Sequence, residues 1–192
     1  LLVTQENEFT KDLGPVFKDP NGDDLNYEVS VSDQNSEKEV VSAEILSSTL
    51  VLDPGSAGEA TVDVTAKDGT GKSATVSFAV TVENPAPSLA AISPSEGAQG
   101  KTISATLKGS GFVGEVSTID VSGSGVSVDQ TTVNSASEID VTFSVADAAS
   151  TGDREVTVSN SSPGGGTTDA SSFSVIERSL RRTLSVGQGW NM

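Results

Sequence analysis

Residues 59–82, EATVDVTAKDGTGKSATVSFAVTV, alternate apolar with polar side chains in two segments that flank a glycine-containing stretch. The apolar positions on one side are Val62, Val64 and Ala66 in the first segment and Ala74, Val76, Phe78, Val80 and Val82 in the second. A period of two is typical of strands that bury one side and expose the other. The glycines of KDGTGKS (67–73) favour a hairpin turn between the segments. The stretch therefore predicts two long strands joined by a turn.

The same alternation continues on both sides of this hairpin. LNYEVSV (25–31) and the shorter STLVLDP (48–54) precede it, and EIDVTFSV (138–145) and REVTVSN (154–160) follow it. No ten-residue window carries a helical stripe. Short strands at regular spacing, separated by Gly, Ser and Asn, are typical of a β-sandwich.

Between the two groups of strands lies VENPAPS (82–88), whose prolines remove backbone donors and favour an extended, semi-rigid connector. We therefore predict an all-β protein with two tandem β-sandwich domains, each large enough for one modest core. The predicted divisions are residues 1–84 (first sandwich), 85–88 (linker), 89–176 (second sandwich) and 177–192 (a linker or the truncated start of a further domain). We expect the chain to be a piece of a longer protein and Trp190 to belong to that further domain.

The composition excludes several classes of function. The 192 residues include no histidine and no cysteine, which removes His-based acid–base catalysis, Ser–His–Asp and Cys–His nucleophiles and ordinary zinc sites. The acids are scattered over turns and polar strand faces, so we expect no enzyme. The net charge of −16 repels nucleic-acid phosphates, and no apolar run is long enough for direct membrane insertion.

Residues 8–82 resemble the cadherin-like and bacterial Ig-like repeats of secreted and surface proteins. The resemblance rests on the acidic turn before LNY (25–27), on the strand GEATVDVTAKD (58–68) and on the alternating strand that ends at Val82, which occur in that order. It implies that the first sandwich is cadherin-like or Ig-like.

Residues 87–175 resemble the IPT/TIG family of Ig-like domains. The motif that carries the resemblance is PSLAAISPSEGAQGKTISATLKGSGF (87–112), and VTVSNSSPGGGTTDASSFSV (156–175) fits that family's closing hairpin. The second sandwich is therefore expected to be Ig-like as well. The tail LSVGQGWNM (184–192) is similar to the start of a β domain that is common in large secreted bacterial proteins.

The most strongly charged stretch is FKDPNGDDLNYEV (17–29), with three aspartates and one asparagine within six positions. Calcium prefers hard oxygen ligands that lie close together in sequence. Asp19, Asn21 and Asp23 have the one–three–five spacing of an EF-hand loop, but the sixth position is Asp24 instead of Gly and the twelfth is Ser30 instead of Glu. An EF-hand is therefore excluded.

The cadherin resemblance implies a different calcium site, in which Asp19 is the first acid, Asn21 stands where the second acid usually lies, and Asp68 is the third. We name Asp19, Asn21, Asp23 and Asp68 as candidate ligands of Ca²⁺. The alternative is a turn without metal, because Pro20 fixes φ and Asn-Gly accepts unusual φ values. Both interpretations stay open at this point. The connector VENPAP lacks the acidic run of a cadherin linker, so we expect no strong calcium clamp between the two sandwiches.

The other polar motifs indicate turns and hairpins more strongly than binding or catalytic sites. SSPGGGTTD (161–169) is glycine-rich, but it has neither phosphate-loop pattern and predicts a flexible hairpin tip. Asn160 begins an Asn-Ser-Ser glycosylation sequon, although Asn and Ser are also ordinary turn residues. We expect Phe112 and Phe173 to lie in the core.

These observations lead to two hypotheses of function. The preferred one is a non-catalytic structural or adhesion segment, an extended stalk or spacer of a bacterial surface or secreted protein that calcium stiffens. Its partners would be neighbouring domains of the same chain, and a cell-surface protein or glycan. The alternative is a carbohydrate-binding or protein-binding accessory module of a multidomain secreted enzyme. Both place the protein outside the cell.

Overall fold

The computed structural model describes residues 1–5, 7–33 and 38–179. Every regular element in these ranges is a β-strand, and the strands form two β-sandwiches in tandem, which confirms the predicted fold class. None of the described residues belongs to a helix long and apolar enough to cross a membrane. The predictions for the tail, including that for Trp190, lie almost entirely outside the described residues.

The first sandwich consists of a four-stranded and a three-stranded sheet. Its strands are β1 (Leu2–Thr4), β2 (Phe9–Asp12), β3 (Asn26–Asp33), β4 (Val41–Leu46), β5 (Thr49–Pro54), β6 (Gly58–Lys67) and β7 (Ser73–Glu83). The order is β1-β7-β6-β3 in one sheet and β2-β5-β4 in the other. β6 and β7 pair without a register shift from Gly58↔Val82 to Lys67↔Ser73, as the alternation predicts.

The core of this sandwich follows the alternation in β6, where Val62, Val64 and Ala66 are buried. In β7 the prediction is only half right. Val80 and Val82 are fully buried, but the predicted inward positions Ala74 and Val76 are exposed. Burial alternates only from Phe78 onward, and Ala74 and Val76 instead line a surface cleft together with Phe17 and Leu25.

The second sandwich has a four-stranded and a five-stranded sheet. Its strands are β8 (Ser88–Ser93), β9 (Glu96–Ala98), β10 (Thr102–Ser110), β11 (Thr118–Val121), β12 (Val126–Ser135), β13 (Glu138–Val145), β14 (Gly152–Asn160), β15 (Gly166–Thr167) and β16 (Ser171–Ile176). The order is β12-β13-β10-β8 in one sheet and β11-β14-β16-β9 in the other, with β15 paired to β14.

Aromatic packing joins the two sheets of the second sandwich. Phe143 of β13 and Phe173 of β16 are fully buried, and their ring centroids lie 4.8 Å apart. Phe112 is also buried, so both phenylalanines named from the sequence are core residues. The buried residues form two separate clusters, one within residues 3–82 and the other within residues 92–175.

One parallel strand pair occurs in each sandwich. β1 runs parallel to β7, from Leu2↔Thr81 to Thr4↔Glu83. β9 runs parallel to β16, from Glu96↔Ser174 to Ala98↔Ile176. In both sandwiches a strand near the start of the unit therefore pairs with its last strand.

Candidate functional site

The acidic stretch of the sequence folds as a turn that its first aspartate caps. Oδ1 of Asp19 accepts hydrogen bonds from the backbone N–H of Asn21 at 2.7 Å and of Asp23 at 3.1 Å. Gly22 has a φ of 82°, a value that suits glycine. An aspartate that binds the backbone two residues further on is the ordinary chemistry of such turns. FKDPNGDDLNYEV therefore contains a turn, and this alone does not decide between a turn with calcium and a turn without it.

Asp68 has the same role in the hairpin between β6 and β7. Its Oδ1 accepts the backbone N–H of Thr70 at 2.9 Å and of Lys72 at 2.8 Å, and its Oδ2 accepts the Thr70 hydroxyl at 2.8 Å. These donors favour the ionised carboxylate, so they lower the pKa of Asp68, with the Thr70 hydroxyl as the largest cause. The KDGTGKS stretch is the predicted hairpin turn, and Asp68 closes it.

We call the surface formed by these two turns the acidic pole. Asp19, Asn21 and Asp68 line one cleft there together with the cations Lys18 and Lys72, whereas Asp23 does not line it. No group of three or more carboxylates within the described residues is placed to hold a metal ion.

Calcium takes about six to eight oxygen ligands. The acidic pole offers at most three of the four predicted side chains, its two carboxylates already accept backbone N–H bonds, and two lysines share the cleft. The residues fit part of a calcium site and no more. Calcium binding stays a prediction. The hydrogen bonds within the two turns already give Asp19 and Asp68 a structural role without a metal ion.

The second candidate region is the connection between the two sandwiches, which we call the joint: residues 84–88 and the residues that contact them. The backbone N–H of Asn84 donates to the Pro163 carbonyl at 2.9 Å, and the N–H of Gly165 donates back to the Asn84 carbonyl at 2.8 Å. The side-chain Nδ2 of Asn84 donates to the Ser161 carbonyl at 2.8 Å. The tip of the hairpin after β14 is thus hydrogen-bonded to Asn84, which directly follows the last strand of the first sandwich.

Asn160, the last residue of β14, fixes the joint from the other side. It is only 4% exposed, and its Nδ2 donates to the carbonyls of Pro85 at 2.8 Å and Gly111 at 2.7 Å. Its Oδ1 accepts the Ser117 hydroxyl at 2.6 Å. Since both hydrogens of this amide are engaged in a buried site, Asn160 has a structural role at the end of β14.

Glycines give the linker room to pack. A Cβ on Gly111 would lie 2.5 Å from the Ala86 carbonyl oxygen, and one on Gly164 would lie 2.6 Å from the Asn84 carbonyl oxygen. Both glycines have a φ near +68°. SSPGGGTTD was expected to be a flexible hairpin tip. It is a hairpin, but Gly164 is packed closely against Asn84, an approach that the Cβ of any other residue would obstruct.

This role of Asn84 and Asn160 was not predicted from the sequence. The signal in the sequence is weak: a glycine pair in LKGSGF and a triple glycine in SSPGGGTTD that no local turn fully requires. Asn160 and Pro85 are 75 residues apart in the chain, Asn84 and Ser161 are 77 apart, and nothing local indicates these contacts.

A polar ladder covers the outer face of the sheet formed by β10, β12 and β13. Asn134 donates to Glu138 at 3.2 Å and to Asp140 at 2.8 Å, while Lys108 pairs with Glu138 and Thr106 donates to Asp140 at 2.9 Å. The Lys108 hydrogen bond lowers the pKa of Glu138, and the Asn134 hydrogen bond is the main cause of the lowered pKa of Asp140. Both carboxylates are thus ionised at neutral pH, a poor state for a general acid.

Comparison with known proteins gives one family match. Residues 86–165 match the family described as quinohemoprotein amine dehydrogenase, alpha subunit domain III. This match covers less than half of the chain and falls on the second sandwich and the linker before it. No curated protein matches the chain.

Solved structures with similarity to the chain include Ig-like fragments. An I-band fragment of titin is 13% identical with a TM-score of 0.38, over 93% of this chain and 62% of that one. The Bacteroides ovatus mixed-linkage glucan utilization protein SGBP-B, solved with a mixed-linkage heptasaccharide, is 17% identical with a TM-score of 0.32, over 91% of this chain and 42% of that one. An endo-fucoidan hydrolase of glycoside hydrolase family 107 is 17% identical with a TM-score of 0.39, over 93% of this chain and 28% of that one. The chain therefore spans less than two thirds of each of these structures.

Proposed function

We propose that this chain is a non-catalytic structural segment that holds other domains of a surface or secreted bacterial protein at a set spacing and orientation. The observation that carries the proposal is the joint, in which Asn84 and Pro85 are hydrogen-bonded to Asn160 and to the 161–165 hairpin tip. A linker with free torsions would let the two sandwiches reorient. A linker that is hydrogen-bonded to the second sandwich resists that motion, because reorientation would break those bonds, each of which contributes about 0.5–1.5 kcal/mol.

The residue types support the same proposal. Histidine and cysteine are absent from the sequence, and local hydrogen-bond donors lower the pKa values of the carboxyl groups of Asp68, Glu138 and Asp140. A site for proton transfer near neutral pH needs the opposite shift in at least one carboxyl group. The exposed polar groups described above act in turns and in cross-strand pairs, which are structural roles.

The finer identity is also a proposal. We propose that the first sandwich is a cadherin-like or bacterial Ig-like repeat and the second an IPT/TIG-like domain, on the motifs quoted above. The LKGSGF part of the IPT/TIG-like motif has a defined task here, because Gly111 lets the linker pack closely against it. An extracellular location and adhesion to a cell-surface protein or glycan belong to the same proposal.

Weak calcium binding at the acidic pole is a further part of the proposal. Asp19, Asn21 and Asp68 would supply side-chain oxygens, and Asp23 lies in the same turn as a fourth candidate. When bound, calcium would supply charge neutralisation between the two turns. These side chains would do no more than hold it.

The experiment that tests the spacer function measures the relative orientation of the two sandwiches in solution. Residual dipolar couplings of the whole chain should fit one alignment tensor for both sandwiches, and small-angle scattering should fit a single conformation. The Asn160→Ala variant should need two tensors, while Ser161→Ala, which keeps the Ser161 backbone carbonyl, should behave as the wild type. Separate tensors for the wild-type chain would refute the proposal.

A further inference from the structure

The turn that Asp19 caps contains the one Asn-Gly pair of the sequence. The chain has eight asparagines, and only Asn21 is followed by a glycine. Residues 20–24 are all exposed, and none of them belongs to a strand. Asn21 therefore has a carboxamide side chain, a neighbour without a side chain and contact with water at the same position.

The side-chain amide of Asn21 is not held in place. The backbone N–H of Asn21 donates to Asp19 at 2.7 Å, but within the described residues no hydrogen bond engages its side chain. In contrast, the side-chain amides of Asn84, Asn134 and Asn160 each donate a hydrogen bond of 2.8 Å. The amide of Asn21 is therefore free to rotate towards its own backbone.

The backbone nitrogen of Gly22 is easily reached from the Asn21 side chain. Gly22 has no Cβ, and a Cβ built there would have no atom within 4 Å apart from its chain neighbours. The Gly22 N–H donates to the Asp19 carbonyl at 3.2 Å, at the long end of the normal range. Exposed loops open at little cost in free energy. The Gly22 nitrogen therefore leaves this carbonyl and approaches the Asn21 side chain without any strand unfolding.

We propose that Asn21 is a site of spontaneous deamidation, at which water converts the asparagine to aspartate or isoaspartate. The backbone nitrogen of Gly22 loses its proton and forms a bond to Cγ of Asn21, which closes a five-membered succinimide ring. The bond between Cγ and Nδ2 breaks, and Nδ2 takes up a proton and leaves as ammonia. This step needs no oxidant and no reductant.

Water then opens the ring at one of its two carbonyls. Attack at Cγ breaks the bond from Cγ to the Gly22 nitrogen and gives aspartate. Attack at the backbone carbonyl gives isoaspartate, in which the chain runs through Cγ. In either case one water is consumed and one ammonia is released. The modification goes beyond the spacer function and does not depend on it.

Both products change the acidic pole. Each adds one carboxylate at position 21, in the cleft that this residue lines with Asp19 and Asp68, so the chain becomes more negative by one charge. Isoaspartate also inserts one carbon atom into the backbone before Gly22. The two hydrogen bonds from the N–H groups of residues 21 and 23 to Asp19 then lose their present geometry. The turn is loosened as a result.

The test follows the mass of the whole chain during incubation at mildly alkaline pH and body temperature. We expect a gain of one mass unit, which tandem mass spectrometry of proteolytic peptides assigns to residue 21. In ¹⁸O-labelled water one labelled oxygen should enter the same residue, and isoaspartyl methyltransferase should methylate the isoaspartate fraction. The synthetic peptide acetyl-FKDPNGDDL-amide is the positive control. If this peptide converts and the folded chain does not, the proposal is wrong.

Asn134 and Asn160 are controls within the same chain, because each is followed by serine and has its side-chain amide hydrogen-bonded. We expect neither of them to convert in the folded chain during the time in which Asn21 does. Equal conversion at all three positions would place the reaction in unfolded molecules and would overturn the proposal.

Gly22→Ala tests the approach of the backbone nitrogen. The added Cβ obstructs the attack on Asn21, so conversion should become several-fold slower. Gly22 has a φ of 82°, so the alanine also strains the turn. Since strain favours opening and would act in the opposite direction, slower conversion is attributable to the Cβ. Conversion as fast as in the wild type would contradict the proposed attack.

A second pair of variants tests whether the turn opens locally. Asp19→Ala removes the cap of the turn and should accelerate conversion several-fold. Leu52→Ala weakens the core of the same sandwich and should leave the rate unchanged, at a temperature at which circular dichroism shows it folded. Acceleration by Leu52→Ala and not by Asp19→Ala would show that the reaction requires global unfolding, and Asn21 would then not be a modification site of the folded protein.

Discussion

The side-chain amide of Asn160 donates to the backbone carbonyl of Pro85 at 2.8 Å, so a residue at the end of β14 holds the linker between the two sandwiches. The same Nδ2 donates to the Gly111 carbonyl at 2.7 Å. A single amide at the end of β14 therefore contacts both the linker and the loop after β10. Because this amide is buried, its contribution to the stability of the fold depends on all of its hydrogen-bond partners being present.

Replacing Asn160 with alanine should destabilise the second sandwich by about 1–3 kcal/mol, since it leaves buried carbonyls and the Ser117 hydroxyl without their partner. Urea unfolding monitored by circular dichroism measures this loss. Ser161→Ala is the matched control, because Ser161 contributes only its backbone carbonyl to the joint. Equal stabilities of the two variants would show that the Asn160 amide contributes nothing.

Gly164→Ala should destabilise the second sandwich more than Gly123→Ala. The two glycines have similar positive φ values, 67° and 78°, so each substitution carries a backbone penalty of about 1–2 kcal/mol. Only at Gly164 does the added Cβ also approach Asn84, at 2.6 Å from its carbonyl oxygen, whereas at Gly123 it would meet only the side chain of Arg154 at an ordinary contact distance of 3.4 Å. The difference in unfolding free energy between the two variants therefore isolates the contact with the linker. A larger loss for Gly123→Ala would contradict the packing described here.

Asp68 should make the first sandwich sensitive to acid. Its pKa is lowered in the folded state, chiefly by the Thr70 hydroxyl, so its contribution is present above the unfolded pKa and is lost as the pH falls through the folded pKa. Thr70→Val should raise the pKa of Asp68 and reduce stability at neutral pH relative to Thr70→Ser, which keeps a hydroxyl. Carboxyl ¹³C titration by NMR gives the pKa directly. An unchanged pKa in Thr70→Val would disprove the assignment of the cause.

Calcium binding at the acidic pole is tested by thermal unfolding with calcium and with EDTA. A ligand that binds only the native state raises its stability by about 2.7 kcal/mol at a hundredfold excess over Kd. We expect a shift at millimolar calcium that Asp19→Ala removes and that Asp129→Ala, an exposed aspartate of the other sandwich, does not. No shift in the wild-type chain would leave Asp19 and Asp68 as turn residues only.

Core truncations should act on one sandwich at a time. Leu52→Ala should destabilise the first sandwich by about 2–5 kcal/mol and Phe173→Ala the second by about 3–5 kcal/mol, since both side chains are fully buried. Because the two core clusters share no residue, the effects should add in the double variant. Hydrogen exchange, read strand by strand, separates the two responses. Loss of protection in both sandwiches after one truncation would indicate a single cooperative unit.

The sequence predicted most of the fold because strand alternation is local. β6 and β13 could be located closely, and the turn at Asp68 followed from its glycines. β9 and β15 were missed, since two or three residues carry no measurable period. β4 was missed although Val41, Ala43 and Ile45 alternate with Ser42 and Glu44, and the short β1 and β2 were missed as well. The exposure of Val76 could not be predicted either, because alternation tells which side of a strand is apolar but not whether another sheet covers it.

The candidate site was predictable only in its local part. Asp19 and Asp68 act within their own turns. Those turns could be predicted because the residues that form them, Pro-Asn-Gly and Asp-Gly, are adjacent in the sequence. The joint depends on residues distant in sequence, so Asn160 could be seen as a turn residue but not as the partner of Pro85. The need for glycine at positions 111 and 164 could be recognised only from the short distances between these residues and the linker backbone.

The parallel pairing of β1 with β7 and of β9 with β16 sets how the chain would respond to tension. When a first and a last strand run in the same direction, a pull on the two ends slides them past one another in shear. All bonds of the pair then bear the force together, instead of opening one after another as in an unzipped hairpin. In the first sandwich β1 and β7 are the first and last strands, so this unit would resist stretching in that way.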